Sequence, residues 1–567
     1  MTIPGFRYIL LAVCCTVISG TGMQAQNLKT KEAGAWKYMH MVSADEMNRR
    51  NDAPNYFQAT DPPSSPVQSI AEFEPMAGTL IRYPFIIPET LITAIGKSDT
   101  IYTIVKNETE EQTVRDIYSK NLIPPQHCKF IRAASNSGWA RDYGPWFVAG
   151  PYSVGITDCT YNRPRPDDDK IPQAIASQYG FPYFSMNVVH TGGNYMTDGY
   201  GVAVSTPIVY SESMENGVTN EQVARQMKDY LGIHTYRVMK DPNNTYIQHV
   251  DCWAKFLDVD KIMLRSVSEN HPQYDEIEAV NDYFRNQKSS WGNNYEVFRI
   301  YTPNDEPYTN SYILNRQVFV PVTGGEWDDE ALQSYRDAMP GYEISGYRGD
   351  WLPTDALHCR VHEMADKQMI RIRHIPVRRL HDSQTQPTVN ATITAYSGKP
   401  LHTDSVQVYF RVGSGQWQSG KMTAGEHNHY SFPFPAIEPG ETVQYYVRAV
   451  DQTGKQATVP LTGKDAPYSF SVTTGSTQAP VPAYVPEIKV YPNPVADWLN
   501  IDLNRQAVSE KTTIGVYAAS GQKVKQIVSS GIRIIKIDMR HFKPGVYYFV
   551  ITDKNKTLNL RIIRKHI

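Results

Sequence analysis

Thr354-Asp355-Ala356-Leu357-His358-Cys359-Arg360-Val361-His362-Glu363-Met364-Ala365-Asp366 is the stretch around which this chain is organised. Cys359 stands at its centre, with His358, Arg360 and His362 as near neighbours. A thiol attacks as its thiolate, and adjacent positive charge favours that form by lowering the thiol pKa. The expectation is an activated cysteine nucleophile; the bland alternative is a small, buried, inert thiol. The choice rests on what else the chain brings to this segment.

Working outward, residues 71–379 alternate β-type runs with amphipathic helices. Leu80–Tyr83 precedes a predicted helix near Glu89–Ile95, and Ile101–Val105 precedes one that begins at Thr109, with Gln112 completing a capping box. Thr219 and Gln222 predict a second box, on a helix carrying Val223, Met227 and Leu231 and stopped by Gly232. Further helices are predicted near Tyr274–Phe284 and Asp328–Met339, each after a β-type stretch. About five such modules fit either a parallel α/β sheet or a radial set of ββαβ units. No glycine-rich phosphate loop opens any of the helices, so a nucleotide is not indicated.

Several segments of this region carry chemistry-bearing side chains. His249-Val250-Asp251 in an extended conformation would put imidazole and carboxylate on one face. Trp139-Ala140-Arg141-Asp142-Tyr143-Gly144-Pro145-Trp146 places another carboxylate among aromatics, with an Arg141–Asp142 salt bridge as the bland reading. Asn310 by itself is a turn residue. Together they suggest chemistry on a cation. Asp142 and Asp251 would hold a planar guanidinium by charge-assisted bonds, and Cys359 would attack its central carbon. His249 would protonate the departing nitrogen and then activate water, while Asn310 orients the cysteine or the adduct. The products would be ammonia and a ureido group. No metal and no cofactor is required, in keeping with the lack of a CxxC or HExxH cluster.

The remaining chain differs in composition. Residues 386–474 lose helical periodicity and read as short alternating strands between glycine-rich turns, a β-sandwich of immunoglobulin-like size. A Pro/Ala/Thr linker, 475–486, leads to a last β module, 487–567. At the other end, residues 1–25 read as an export signal: Arg7, the apolar run Tyr8–Ile18, and a cleavage site at Met23-Gln24-Ala25. A lipid anchor at Cys14 or Cys15 is disfavoured because Val13 stands where a small residue is wanted. Residues 26–66 are polar and turn-rich, a pro-segment or an ordered arm. Lys+Arg 56 against Asp+Glu 58 leaves a net charge of -2, so no global field draws the protein to nucleic acid. No transmembrane segment is expected. Four cysteines remain after the leader (Cys128, Cys159, Cys252 and Cys359), too few for a disulfide framework, and Cys252 is expected to point away from Asp251's pocket.

The segments Trp139–Trp146, Tyr161-Asn162-Arg163-Pro164-Arg165-Pro166, Thr191–Gly199, His249–Trp253 and Asp355–Cys359 resemble the bacterial, Porphyromonas-type peptidylarginine deiminases of the guanidino-group-modifying (pentein) superfamily. That resemblance implies a five-bladed pseudo-symmetric α/β propeller over 67–380. It also implies citrulline formation by a covalent thiouronium route, with Cys359, His249, Asp142 and Asn310 catalytic and Asp251 gripping the guanidinium. It further implies that Arg163 and Arg165 bind the α-carboxylate of a C-terminal arginine; the bland alternative is that Asp167, Asp168 and Asp169 neutralise them. Trp139, Tyr246 and Ile247 would line the pocket. Val490-Tyr491-Pro492-Asn493-Pro494, the Ser520-Gly521 turn and Pro544-Gly545-Val546-Tyr547 resemble the C-terminal sorting domain of type IX secretion cargo. The type IX machinery is then a partner, and the protein is secreted or attached to the outer-membrane surface. Two other readings stand beside these. Agmatine deiminases share the Trp-x-Arg-Asp and Gly-Gly-Asn segments, but agmatine has no carboxylate for Arg163 and Arg165. A non-enzymatic adhesin would use the propeller only as a scaffold.

Overall fold

The computed structural model describes residues 58–377, 381–382, 386–473 and parts of 489–564. The expected leader, most of the arm 26–66, the linker 475–486, Pro492-Asn493-Pro494 and Ser520-Gly521 lie outside the described residues. The chain divides into two compact units, 1–474 and 475–567.

The fold of the first unit is mixed α/β. Between residues 68 and 365 five small sheets follow one another, and four of them repeat one order: an antiparallel strand pair, helical chain, then a parallel strand. In the first of these four, β1 (Gln68–Ser69) and β5 (Trp146–Ala149) pair antiparallel and β5 continues antiparallel to β6 (Val154–Tyr161). Helix Ile171–Tyr179 then crosses over to β7 (Tyr183–His190), parallel to β6. The same order recurs in β8 (Met196–Thr197), β9 (Val202–Ser205) and β10 (Thr235–Val238). It recurs again in β11 (Ala254–Asp258), β12 (Lys261–Ser266) and β13 (Glu296–Tyr301), and in β14 (Tyr312–Leu314), β15 (Gln317–Val322) and β16 (Glu343–Arg348). The remaining sheet joins the two ends of the region: β17 (His362–Ala365) pairs antiparallel with β2 (Met76–Arg82), which runs parallel to β3 (Thr100–Val105) and then β4 (Cys128–Arg132). A parallel pair needs a crossover long enough to reverse the chain, and a helix supplies it.

Local rules account for the ends of two of these crossover helices. Thr219 caps the helix Asn220–Leu231 through a full capping box: Gln222 N donates to Thr219 Oγ1 at 3.3 Å and Thr219 N to Gln222 Oε1 at 2.8 Å. Gly232 ends it at φ 69°, where a Cβ would lie 2.1 Å from the carbonyl oxygen of Val67. The box expected at Thr109 is corrected. The helix Glu108–Lys120 is capped two residues earlier by Asn107, whose Oδ1 accepts from Glu110 N at 3.0 Å, while Glu110 Oε2 reaches back to Lys106 N at 2.7 Å. Asparagine is the stronger cap, and Glu110 occupies the reciprocal third position.

After β17 the helices stop. β18 (Ile370–His374), inside the stretch read as the end of the catalytic region, pairs antiparallel with β20 (Thr388–Ala395). Two sheets, one of β18, β20, His429–Pro433 and Thr423–Ala424 and the other of His381–Asp382, Tyr468–Thr473, β25 (Thr442–Val450), Gln407–Val412 and Gln418–Lys421, share a core that includes Val389, Val408, Phe410, Phe434, Tyr445 and Phe470. Strand β25, Thr442–Val450, buries alternate residues Val443, Tyr445, Val447 and Ala449, the period-two pattern of a half-covered sheet. In the second unit, described by itself, two sheets of three and four strands enclose Leu499, Ile501, Ile514, Val516, Phe549 and Ile551. Among the described residues no helix is long and apolar enough to cross a membrane.

Candidate active site

Segments from separate sheets of the first unit deliver the predicted residues to one buried place. Cys359 sits in a 3-10 turn, His358–Arg360, that leads into β17. His249 and Asp251 come from a second such turn, Val250–Cys252, that leads into β11. This corrects the extended conformation expected for His249-Val250-Asp251; the turn closes because Trp253 N bonds to Val250 O at 3.1 Å. Asn310 lies just before β14, and Asp142 precedes β5. All five residues are at most 4 % exposed.

The distances tie them into a cluster. Cys359 Sγ lies 3.7 Å from Asp251 Oδ2 and 3.4 Å from Asn310 Nδ2. Asn310 Oδ1 accepts from the backbone N–H of His358 at 3.0 Å and of Cys359 at 3.4 Å, so one carboxamide holds both the turn and its sulfur. Arg141 N donates to Cys359 O at 3.3 Å, which brings the Asp142 loop against the same turn. His249 Nδ1 and Asp142 Oδ1 are 3.7 Å apart. Among the described residues no group of three His, Cys, Asp or Glu side chains is arranged to hold a metal ion.

The electrostatics reverse one expectation. Burial, and then the charges of Asp251, Asp355 and Asp142, push the Cys359 thiol well above its usual range. The neighbours in sequence do not activate it because their side chains leave for other partners. Arg360 makes two 2.9 Å bonds to Asp355, and burial holds the His362 pKa down to about 4. His358 sits between two carboxylates, Nδ1 at 2.7 Å from Asp251 Oδ2 and Nε2 at 2.8 Å from Glu72 Oε2. Burial works to raise Asp251, but the bond and charge of His358 outweigh it and hold the carboxyl at about 2. The thiol thus faces the carboxylates of Asp251, Asp355 and Asp142, an arrangement suited to a cation. Cys252, expected to point away, instead has Sγ 3.6 Å from Asp251 Oδ1, as the tight turn dictates.

The other predicted contacts are spread around this cluster. Arg165, 2 % exposed, lies with its guanidinium carbon 4.9 Å from the Trp139 ring centroid, and Trp139 is fully buried. Arg163 Nη1 is 4.0 Å from Glu212 Oε1. The aspartate run serves the loop: Asp168 Oδ1 accepts from the backbone N–H of Asn136 at 2.7 Å and of Ser137 at 3.1 Å, and Asp169 Oδ1 from Tyr161 N at 2.6 Å. Ile247 is fully buried, whereas Tyr246 is 44 % exposed. Arg141 pairs with Glu363 at 2.8 Å, in place of the Asp142 bridge.

Sequence reasoning missed two features. Gly193 is pressed against the site: a Cβ there would lie 2.3 Å from His249 Nδ1 and 3.0 Å from Asp142 Oδ1. The adjacent glycines of Gly192-Gly193 were the available signal. Glu72 and Lys255 also meet behind Asp251, 2.9 Å apart, beside a cavity of about 40 Å³, and nothing local to Glu72 marks it.

Comparison with known proteins identifies the region. Residues 87–364 match the family model described as Porphyromonas-type peptidyl-arginine deiminase, and residues 489–565 match that of the secretion system C-terminal sorting domain. Relatives named as agmatine deiminases include one from Mycoplasma mycoides, 22% identical over 294 residues (44% of this chain, 78% of the relative), and one from Shewanella frigidimarina, 24% identical over 267 residues (40% and 72%). Among solved structures, the agmatine deiminase of Enterococcus faecalis aligns with TM-score 0.46 and 18% identity over 54% of this chain and 100% of its own. A Porphyromonas gingivalis protein named as an arginine deiminase aligns with TM-score 0.48 and 17% identity over 53% and 99%. The sorting tail marks a secreted or cell-surface protein. Residues 87–364 of this chain therefore match the Porphyromonas-type peptidyl-arginine deiminase family, and residues 489–565 match the secretion system C-terminal sorting domain.

Proposed function

We propose that this protein is an exported peptidylarginine deiminase that hydrolyses the guanidinium of arginine, preferably at a peptide C-terminus, to citrulline and ammonia. The observation that carries this reading is the thiol of Cys359 lying 3.7 Å from Asp251 and 3.4 Å from Asn310, in one buried cluster with His249 and Asp142. A guanidinium placed there donates N–H bonds to Asp251 and Asp142, and its charge cancels the repulsion that keeps the thiol protonated. The thiol proton passes to His249, sulfur adds to the guanidinium carbon, and His249 delivers that proton to the nitrogen, whose C–N bond breaks to release ammonia. Water then adds to the thiouronium with His249 taking its proton, and the C–S bond breaks to release the ureido product and the thiol. Arg165, held over Trp139, and Arg163 would meet the substrate α-carboxylate, with Glu212 as the competing anion for Arg163. In this reading the repeated strand-pair, helix and parallel-strand order, closed by β17 on β2, is a five-bladed propeller, and residues 386–474 form an immunoglobulin-like sandwich beside it.

Agmatine deiminase is the second reading, favoured by the names of the relatives. Citrulline and ammonia release from a peptide ending in arginine, a peptide with internal arginine, free arginine and agmatine separates the two. Preference for the C-terminal arginine is expected. Preference for agmatine overturns the substrate assignment, and no turnover of any of the four leaves a surface adhesin as the better reading.

A further inference from the structure

We infer that Glu72 and Lys255 are positioning residues for Asp251, acting through His358, and that they decide how well the site receives a cation. The inference rests on the proposed deiminase reading and extends it to residues from two further segments. Glu72 lies between β1 and β2, and Lys255 is on β11. Their side chains are only 15% and 3% exposed.

The carboxylate of Glu72 is saturated. Oε1 accepts from Lys255 Nζ at 3.0 Å and from Ile313 N at 2.7 Å; Oε2 accepts from Lys255 Nζ at 2.9 Å and faces His358 Nε2 at 2.8 Å. Four contacts from three separate segments leave that carboxylate one orientation. The imidazole of His358 is held in turn, because its other nitrogen faces Asp251 Oδ2 at 2.7 Å. The ring is thereby clamped between two carboxylate oxygens, one on each nitrogen. Along the buried chain Lys255–Glu72–His358–Asp251 nitrogen-bearing side chains alternate with carboxylates, so Asp251 is held by a ring that Glu72 orients. Its remaining lone pairs are fixed where Cys359 stands, 3.7 Å away. Recognition of a planar cation depends on that aim, and a displacement of about 1 Å costs on the order of 100-fold in rate.

A merely structural role would also leave Glu72 and Lys255 buried and paired, so the test separates aim from folding. The full-length protein and two variants, Glu72→Gln and the charge-balanced Glu72→Gln/Lys255→Met, are treated with 2-chloroacetamidine, a cation of guanidinium shape, and with neutral, isosteric 2-chloroacetamide. Alkylation of Cys359 is followed by peptide mass mapping, and Tm is recorded for each. In the parent the amidine-to-amide rate ratio should exceed that of glutathione. In either variant that keeps a cooperative Tm the ratio should fall by about tenfold or more, while the neutral reagent changes by less than about threefold. A ratio that stays at the parent value in either folded variant overturns the positioning role. A parent ratio no greater than that of glutathione removes the cation grip itself, and with it the proposed function.

Discussion

Replacing Asp251 by asparagine should make Cys359 more reactive towards a neutral reagent while nearly abolishing turnover. The carboxylate oxygen is 3.7 Å from the sulfur. At that separation and an effective dielectric of about 20, one like charge opposes thiol ionisation by about 4 kcal/mol. The His358 ring, 2.7 Å from the same oxygen, offsets part of this, and Asp142 and Asp355 continue to act. Thiolate nucleophilicity falls as the thiol becomes more acidic, with a Brønsted slope of about 0.4–0.5, so only about half of the remaining free energy reaches the rate. Alkylation by 2-chloroacetamide should therefore rise about tenfold. The carboxamide oxygen still accepts from His358, so the fold is retained. In the opposite direction, one charge-assisted bond to the guanidinium is lost, which costs about 2–5 kcal/mol, or about 30- to several thousand-fold in kcat/KM for arginine. Stopped-time alkylation with mass detection reads the first effect and ammonia release the second. If alkylation slows or stays level, the resting thiol is not held protonated by its carboxylates, and the substrate-assisted ionisation is wrong.

Gly193→Ala should keep Tm within a few degrees yet lower kcat/KM by about 100-fold, because the new methyl would lie 2.3 Å from His249 Nδ1; a fully active variant would show that His249 need not stay where it is. Arg165→Ala and Arg163→Ala should each cost about 2–5 kcal/mol on peptides ending in arginine, with internal arginine spared. Equal losses on both would remove the carboxylate role. Acid should destabilise the protein in two steps. Buried His362, neutral with a pKa of about 4, loses its contribution as pH falls from about 6.5 through 4, because the unfolded chain takes up the proton first. Asp251, held at about 2 against an unfolded value near 4, loses about 2 kcal/mol as pH falls between those values. Thermal unfolding against pH reads both, and His362→Gln should flatten only the upper step. Thr219→Ala should cost about 1 kcal/mol, read as a lower Tm, through loss of the cap on Asn220–Leu231.

Much of the fold was legible because its rules act over a few residues. The Thr219/Gln222 box, the Gly232 stop and the alternation in Thr442–Val450 each appear where the sequence places them. The Thr109 box failed because two adjacent cap signals overlap and Asn107 satisfies the orphan N–H groups sooner. Among the site residues, Cys359, Asn310, Asp251, His249 and Asp142 were readable as motifs, and they do share one cluster. Glu72 was not readable: an acidic residue in Ala71-Glu72-Phe73-Glu74 carries no local mark, and its partner His358 is 286 residues away.

The sequence by itself determined the alternation of strands and helices, which segments carry a thiol, imidazoles and carboxylates, and where the sorting signal lies. Only the tertiary structure decided the sign of the field at the sulfur. In sequence Cys359 is flanked by His358, Arg360 and His362, yet in space its ionisation is opposed by Asp251, Asp355 and Asp142. Adjacency along a chain constrains backbones, but a Coulomb interaction depends on the distance between side-chain tips. A single turn, Leu357–Val361, sends those tips to different partners.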